Sequence, residues 1–265
     1  MKSLIWPCGL LLTLLVSCTE QNGSLKVSKP QAVDCTQLNL MSSKASSNIY
    51  TIQPAGSRTL LKVYCEMRPD GGWTVIQRRT GQAVSFRRNW ANYENGFGHL
   101  IGDHWLGLKK IFLMMESKSK KWTLRVDLWD HEGNTAYAQY RNFRLGDPTT
   151  AYKLNVGFYS GNAGDAIRDG SQDQNGYGFS TVDRDNDGCS PCIFGDIAEE
   201  QCTFSEGGGW WYSKCGSASL NGDYHSNGNH IGWASGLHWH TWKKIPYSLK
   251  ATRMMIKSES TLAWW

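Results

Sequence analysis

The stretch "KWTLRVDLWD", Lys121 to Asp130, sets Trp122, Leu124, Val126 and Leu128 at every second place among charged and polar neighbours. That is the period of a strand with one buried face, not that of a helix. "HEGNT" then turns the chain, and "AYAQYRNFRL" and "YKLNVGFYSG" read as further strands, so an antiparallel sheet is expected near the middle of the chain. Helices are expected near Ser85 to Glu94 and Trp105 to Glu116. Beyond Gly161 the periodicity fades, and Gly, Asn, Asp and Ser dominate between isolated aromatics. A loop-built region of that length needs pins, which cysteines or a metal would supply.

Composition agrees with such a layout. The 265 residues include 13 Trp and 28 Gly, a pattern of aromatic anchors among tight turns that excludes an all-helical fold. The net charge is +5, but the basic residues come in scattered pairs (Arg78 and Arg79, Arg87 and Arg88, Lys109 and Lys110, Lys243 and Lys244), read as solvated surface. Without a polybasic arm, nucleic acid is not an expected partner.

Residues 1–18 read as a secretory signal peptide: Lys2, an apolar run from Leu10 to Val16, then Ser17 and Cys18. The run is too short to span a bilayer, and no other stretch approaches the ~20 apolar residues of a transmembrane helix. The expected location is therefore the extracellular space. Residues 19–30 form a short polar linker with a glycosylation sequon at Asn22, and they carry neither heptads nor a collagen repeat.

Of eight cysteines, Cys8 and Cys18 fall in the leader, leaving six for an oxidising compartment. Spacing favours Cys35 with Cys65 and Cys202 with Cys215, each loop closure contributing about 3 to 4 kcal/mol in the chain-entropy model. Cys189 and Cys192 are left either to each other or to an intermolecular bond. Cleavage before Cys18 would add an odd cysteine and a disulfide-linked homo-oligomer.

Several stretches together resemble one family. "CEMRPDGGWTVIQRR" (Cys65 to Arg79), "NWANYENGFG" (Asn89 to Gly98), "HWLGLKKI" (His104 to Ile111), "LRVDLWDHEGNTAYAQY" (Leu124 to Tyr140) and "GGWWYSKC" (Gly208 to Cys215) are similar, in order, to the fibrinogen C-terminal-like domain. Ficolins, angiopoietin-like proteins, fibrinogen-like proteins and a microfibril-associated glycoprotein share that domain. The resemblance places it at residues 31–257, with 258–265 an unassigned tail. It implies an α+β fold: a small N-terminal part closed by Cys35–Cys65, a central antiparallel sheet with flanking helices, and a loop-rich C-terminal part that binds calcium. It also implies a binding module, not an enzyme.

"TVDRDNDGCSPCIFGD", Thr181 to Asp196, begins like an EF-hand loop with Asp183, Asp185, Asp187 and Gly188, but Phe194 stands where the bidentate Glu belongs. Clustered carboxylates still favour a hard cation. The resemblance implies calcium held by the side chains of Asp185 and Asp187 and the carbonyls of Cys189 and Pro191, with Asp183 supporting them from behind. The segment "CSPCIFGDIAEEQ" departs from the family by its length and two additional cysteines. His225, His230, His238 and His240 lack a zinc-binding spacing and read as surface or aromatic-packing residues.

The resemblance further implies an acetyl-binding pocket beside the calcium loop. It would be built on a cis bond at Lys214–Cys215, with backbone donors facing an apolar wall of Trp233 and Ala234. Gly216 stands where many members have histidine. Glu206 stands where acetyl binders have an aromatic, and at the rim it would repel anionic sugars. Two functions follow: calcium-dependent, lectin-like binding of acetylated glycans in innate defence, or docking of a matrix or signalling protein on a protein receptor through the same C-terminal face. A metal hydrolase is set aside because no nucleophile and base share a recognisable spacing.

Overall fold

The computed structural model describes residues 31–42, 44–194, 197–228, 235–244 and 247–260. The stretches read as signal peptide and linker, Asn22 included, and the last five residues lie outside them. Seven strands carry the main sheet: β1 (Asn48–Ile52), β2 (Leu61–Arg68), β3 (Gly71–Arg79), β4 (Lys120–Trp129), β5 (Thr135–Tyr140), β6 (Tyr159–Gly161) and β7 (Ala251–Ser260). They run in the order β1-β2-β3-β7-β4-β5-β6, and every pairing is antiparallel. A two-residue strand at His104–Trp105 pairs onto β3, and a second at Phe97–Gly98 pairs onto it in turn.

The alternation read in β4 is the packing that forms. Trp122, Leu124, Val126 and Leu128 are buried, facing a core that Ala136, Ala138 and Tyr140 share from β5. Across β7, Leu124 pairs with Ile256, Val126 with Met254 and Leu128 with Thr252. The sheet is broader than the sequence indicates, because half of its ladder comes from β1–β3 and β7. The strand β7 continues through Ser260, so part of the stretch read as a tail lies in the centre of the sheet.

Four helices flank or follow the sheet. In α1 (Cys35–Met41), Asp34 caps the N-terminus by accepting from the Gln37 N–H at 2.8 Å, and Cys35 is bonded to Cys65 of β2. The helix lies so close on β3 that a Cβ at Gly72 would stand 2.0 Å from the Cys35 carbonyl oxygen. Helix α2 (Trp90–Asn95) starts later than the expected Ser85, where Asn89 accepts from the Asn92 N–H at 3.1 Å. Helix α3 (Leu108–Met115) buries Leu108, Ile111, Met114 and Met115, a one-sided helical stripe. The five-residue α4 (Cys202–Glu206) had no periodic signal in the sequence.

From Gly161 onward the chain packs on the inner sheet face with little ladder of its own. The tryptophans fill this junction: Phe179 lies 5.0 Å from Trp211, 5.1 Å from Tyr93 and 5.7 Å from Trp105, ring centre to ring centre. Polar ties accompany them. Gln77 of β3 is fully buried, and its Nε2 donates to the Leu220 carbonyl at 2.7 Å and to Asn221 Oδ1 at 3.2 Å. Asn221 Nδ2 in turn donates to the Gly209 carbonyl at 2.9 Å.

Arg79 is not the solvated arginine that its pairing with Arg78 led us to expect. It is 2% exposed, lies over the Phe86 ring at 4.1 Å and donates to the Gly222 carbonyl at 2.8 Å. Burial pushes its pKa down to about 10.

The turn after β4 is pinned by Asp130, whose oxygens accept from the Asn134 N–H at 2.7 Å, the Asn134 Nδ2 at 2.8 Å and the Lys243 Nζ at 2.8 Å. Burial acts to raise the Asp130 pKa. The Lys243 and Asn134 hydrogen bonds outweigh it and hold the carboxyl well below the usual range.

Two outcomes are expected. Gln77→Ala strands buried carbonyl groups and lowers stability in urea unfolding by about 2 to 3 kcal/mol; an unchanged midpoint would mean that the C-terminal region is not fastened there. A carboxyl depressed on folding stabilises the protein above its unfolded pKa of about 4 and loses that contribution as pH falls below it. The melting temperature of wild type should therefore exceed that of Asp130→Asn above about pH 4, and the gap should shrink on acidification below it.

Candidate functional site

The acidic loop is positioned from three sides. Ser180 bridges to Trp210, and the Asp183 carboxylate reaches helix α2, accepting from the Trp90 N–H at 2.8 Å and from Thr181 Oγ1 at 2.7 Å. Although burial alone would raise its pKa, these donors hold Asp183 below the ordinary value. Asp183 therefore anchors the loop to α2 through its Oδ1.

Asp185 and Asp187 stand together as the sequence expected. Asp185 Oδ1 accepts from the Asp187 N–H at 3.0 Å, and it lines an open cleft of about 580 Å³ with Pro191 and Glu200. Asp187 lies deeper: Oδ1 accepts from the Cys189 N–H at 3.0 Å and Oδ2 from the Cys202 N–H at 2.9 Å. Burial raises the Asp187 pKa and the Asp185 charge adds to it, against the two N–H donors. A charge disfavoured in this way is one that a cation would stabilise, and the oxygen-only side-chain set fits a hard divalent ion.

The six cysteines pair as Cys35–Cys65, Cys189–Cys192 and Cys202–Cys215. The last two touch: the Cys192 and Cys202 sulfurs are 3.4 Å apart, and all four sulfurs lie within 4.8 Å of one another. Tied as disulfides, they offer no thiolate to a metal. Asp187 spans both bridges through its two oxygens, so the acidic loop, the additional disulfide and α4 form one unit. The contact between the bridges was not legible in the cysteine spacing.

The expected acetyl pocket is corrected at several places. The one cis peptide bond among the described residues is Ser190–Pro191, and Lys214–Cys215 is trans. The chain turns there instead through positive φ at two successive residues, Cys215 at 62° and Gly216 at 98°. The Gly216 N–H donates to Gln172 Oε1 at 3.3 Å, and Gln174 Nε2 donates to the carbonyls of Cys215 and Ala218 at 3.0 and 2.9 Å. Gln174 fills the space a side chain at 216 would use: a Cβ on Gly216 would stand 2.1 Å from Gln174 Nε2. Glu206 is no rim residue either. It is 1% exposed at the end of α4, with Oε2 3.6 Å from His238 Nδ1.

Lys214 is exposed, while Trp233 and Ala234 lie outside the described residues. His238 and His240 stack at 4.2 Å, a packing arrangement, and His225 Nε2 is 3.3 Å from Ser235 Oγ. His230 lies outside the described residues.

An antiparallel sheet carrying a disulfide-pinned loop region on one face is the architecture of the fibrinogen-like globes. The chain belongs to the family described as fibrinogen beta and gamma chains, C-terminal globular domain, whose model matches residues 31–259. It is 38% identical to Bos taurus fibrinogen-like protein 1 over 86% of this chain and 73% of that protein. It is 41% identical to Bos taurus angiopoietin-4 over 84% of this chain but only 42% of that protein. Among solved structures, the fibrinogen-like globe domain of human ANGPTL2 superposes with a TM-score of 0.75 at 37% identity, covering 85% of this chain and 98% of that one. Lamprey fibrin D-dimer, complexed with the peptide ligand Gly-His-Arg-Pro-amide, gives a TM-score of 0.76 at 32% identity, covering 91% and 79%. No helix among the described residues is long and apolar enough to cross a membrane.

Placing a histidine at position 216 tests the glutamine plug. Gly216→His must place a side chain at positive φ and displace Gln174, so it should lower stability by roughly 2 kcal/mol or more without creating acetyl-sugar binding. A stable Gly216→His variant that gains such binding in calorimetry would show the pocket to be open.

Proposed function

We propose that the protein is a secreted, non-enzymatic recognition module that docks on an extracellular protein partner through its C-terminal loop face, with calcium holding that face in shape. One observation carries the reading. Of eight exposed large apolar side chains among the described residues, three (Val182, Ile193 and Phe204) fall on the acidic loop, the additional disulfide hairpin and α4. Those elements are the ones tied together by Asp187 and the touching disulfides. Exposed apolar anchors on a covalently rigid support lose little freedom on binding, which favours a protein interface. The similarity to angiopoietin-4 and to a fibrin complexed with a peptide supports the same choice. Acetylated glycans are less favoured, because the Gly216 N–H, next to the bond where backbone donors were expected, already donates to Gln172.

Calcium would be held by Asp185 and Asp187, with the carbonyls of Cys189 and Pro191 as candidates for the remaining positions. Three disulfides and the leader-like start support an oxidising, extracellular setting.

Screening the whole protein against arrayed receptor ectodomains and against arrayed acetylated glycans, each with calcium and with chelator, tests the docking reading. We expect an ectodomain signal that weakens at least about tenfold in Ile193→Ser, Phe204→Ser. A response confined to the glycans would overturn it. For the ion, the melting temperature should rise with added calcium, by the equivalent of about 2.7 kcal/mol at a hundredfold excess over Kd, and Asp185→Ala should abolish that rise. Among the described residues Asp185 accepts only from within its own loop, so this variant separates ion loss from the hydrogen bonds that Asp187 supports.

A further inference from the structure

The outer sheet face, turned away from the loop region, carries a band of arginines that the proposed docking site does not use. Arg68 of β2, Arg78 of β3, Arg253 of β7 and Arg125 of β4 share two carboxylates. Asp127 accepts from Arg68 Nη1 at 3.2 Å, Arg125 Nε at 2.7 Å and Arg253 Nη2 at 2.8 Å. Glu66 lies 3.0 Å from Arg253 Nη1 and 3.8 Å from Arg78 Nη2. At one end, Asp70 stands 3.7 Å from both Arg68 and Lys257. Five cations therefore meet three carboxylates, and exposed Lys62 extends the band along β2 on the same face.

The guanidinium groups are also held in place. Arg78 lies 4.4 Å over Tyr64, Arg125 4.1 Å over Tyr137 and Arg253 5.5 Å over Trp129, yet the four arginine side chains keep 14 to 28% of their surface in solvent. Arg253 and Trp129 form the wall between two open clefts of about 280 and 400 Å³. Arg68 and Arg125 line the first cleft, Arg78 and Lys250 the second.

We propose that this face binds a linear sulfated polysaccharide. Guanidinium forks match sulfate oxygens, and their ion pairs and ring contacts fix them before the ligand arrives, which reduces the entropy lost on binding. Two cationic clefts on either side of a shared aromatic wall suit anions repeated along a chain of sugar rings, not a single ion. The excess charge attracts such a polymer at long range and makes the affinity salt-dependent. The band lies across the sheet from the acidic loop, so binding is independent of calcium.

Surface plasmon resonance of the whole protein on immobilised heparin, in calcium and in chelator, is the test. We expect equal binding in both, weakening with salt, displaced by a heparin oligosaccharide but not by inorganic sulfate at the same sulfate concentration. The double variant Lys62→Glu, Arg68→Gln should bind roughly tenfold more weakly. Lys153→Glu, an exposed site next to Tyr152, whose ring packs 6.0 Å from Trp90, changes the charge by two units against the double variant's three and should bind within about twofold of wild type. If Arg68→Gln disturbs folding, Lys62→Glu alone is compared with Lys153→Glu. Equal losses in the two faces, displacement by inorganic sulfate, dependence on calcium, or no binding at physiological ionic strength would each overturn the assignment.

Discussion

Buried backbone groups must find hydrogen-bond partners, and a region without a continuous ladder must take them from side chains. Gln77 is where that constraint is met first. Its amide rises from the middle of β3 into the loop region and satisfies the Leu220 carbonyl, while Asn221 does the same for Gly209. The pattern repeats: Trp211 Nε1 donates to the Tyr152 carbonyl at 2.9 Å, Trp239 Nε1 to Gly164 at 3.0 Å, and Gln174 to two carbonyls near the disulfide. The abundance of tryptophan has its explanation here. An indole fills volume and carries one donor, which suits a junction that is apolar in bulk and punctuated by stray carbonyls.

Much of the fold was legible because the period of a half-buried strand survives in a single sequence. Trp122 to Leu128 declared their inner face, and Leu108 to Met115 declared a helix within the predicted span. Other elements left no such trace. Strand β3 is buried on both faces along much of its length, with Trp73, Val75 and Met255 packed on one side and Ile76 on the other, so its alternation is erased. Helix α4 is too short for periodicity, and its position is set by the Asp187 carboxylate and a disulfide rather than by propensity.

The site was legible in its residues and less so in its geometry. Local cysteine spacing and adjacent aspartates announced the pins and the acidic loop, because both chemistries act over short sequence distances. The glutamine plug did not announce itself. Gln172 and Gln174 are polar residues in a polar stretch, and nothing in their neighbours tells that one meets Gly216 and the other Cys215 from some forty positions away. Glu206 and Arg79 misled for a related reason: charged side chains read as surface unless their buried partners, here His238 and the Gly222 carbonyl, are known.

The placement of β7 bears on how the molecule is made. It enters between β3 and β4, so during vectorial synthesis both of those strands wait with an unpaired edge until it emerges, after more than a hundred intervening residues. Long-range closure of this kind is slow and leaves strand edges open to aggregation in the meantime. It also makes quality control effectively all or none. A premature stop anywhere before Ala251 removes not a peripheral segment but the strand that joins the two halves of the sheet.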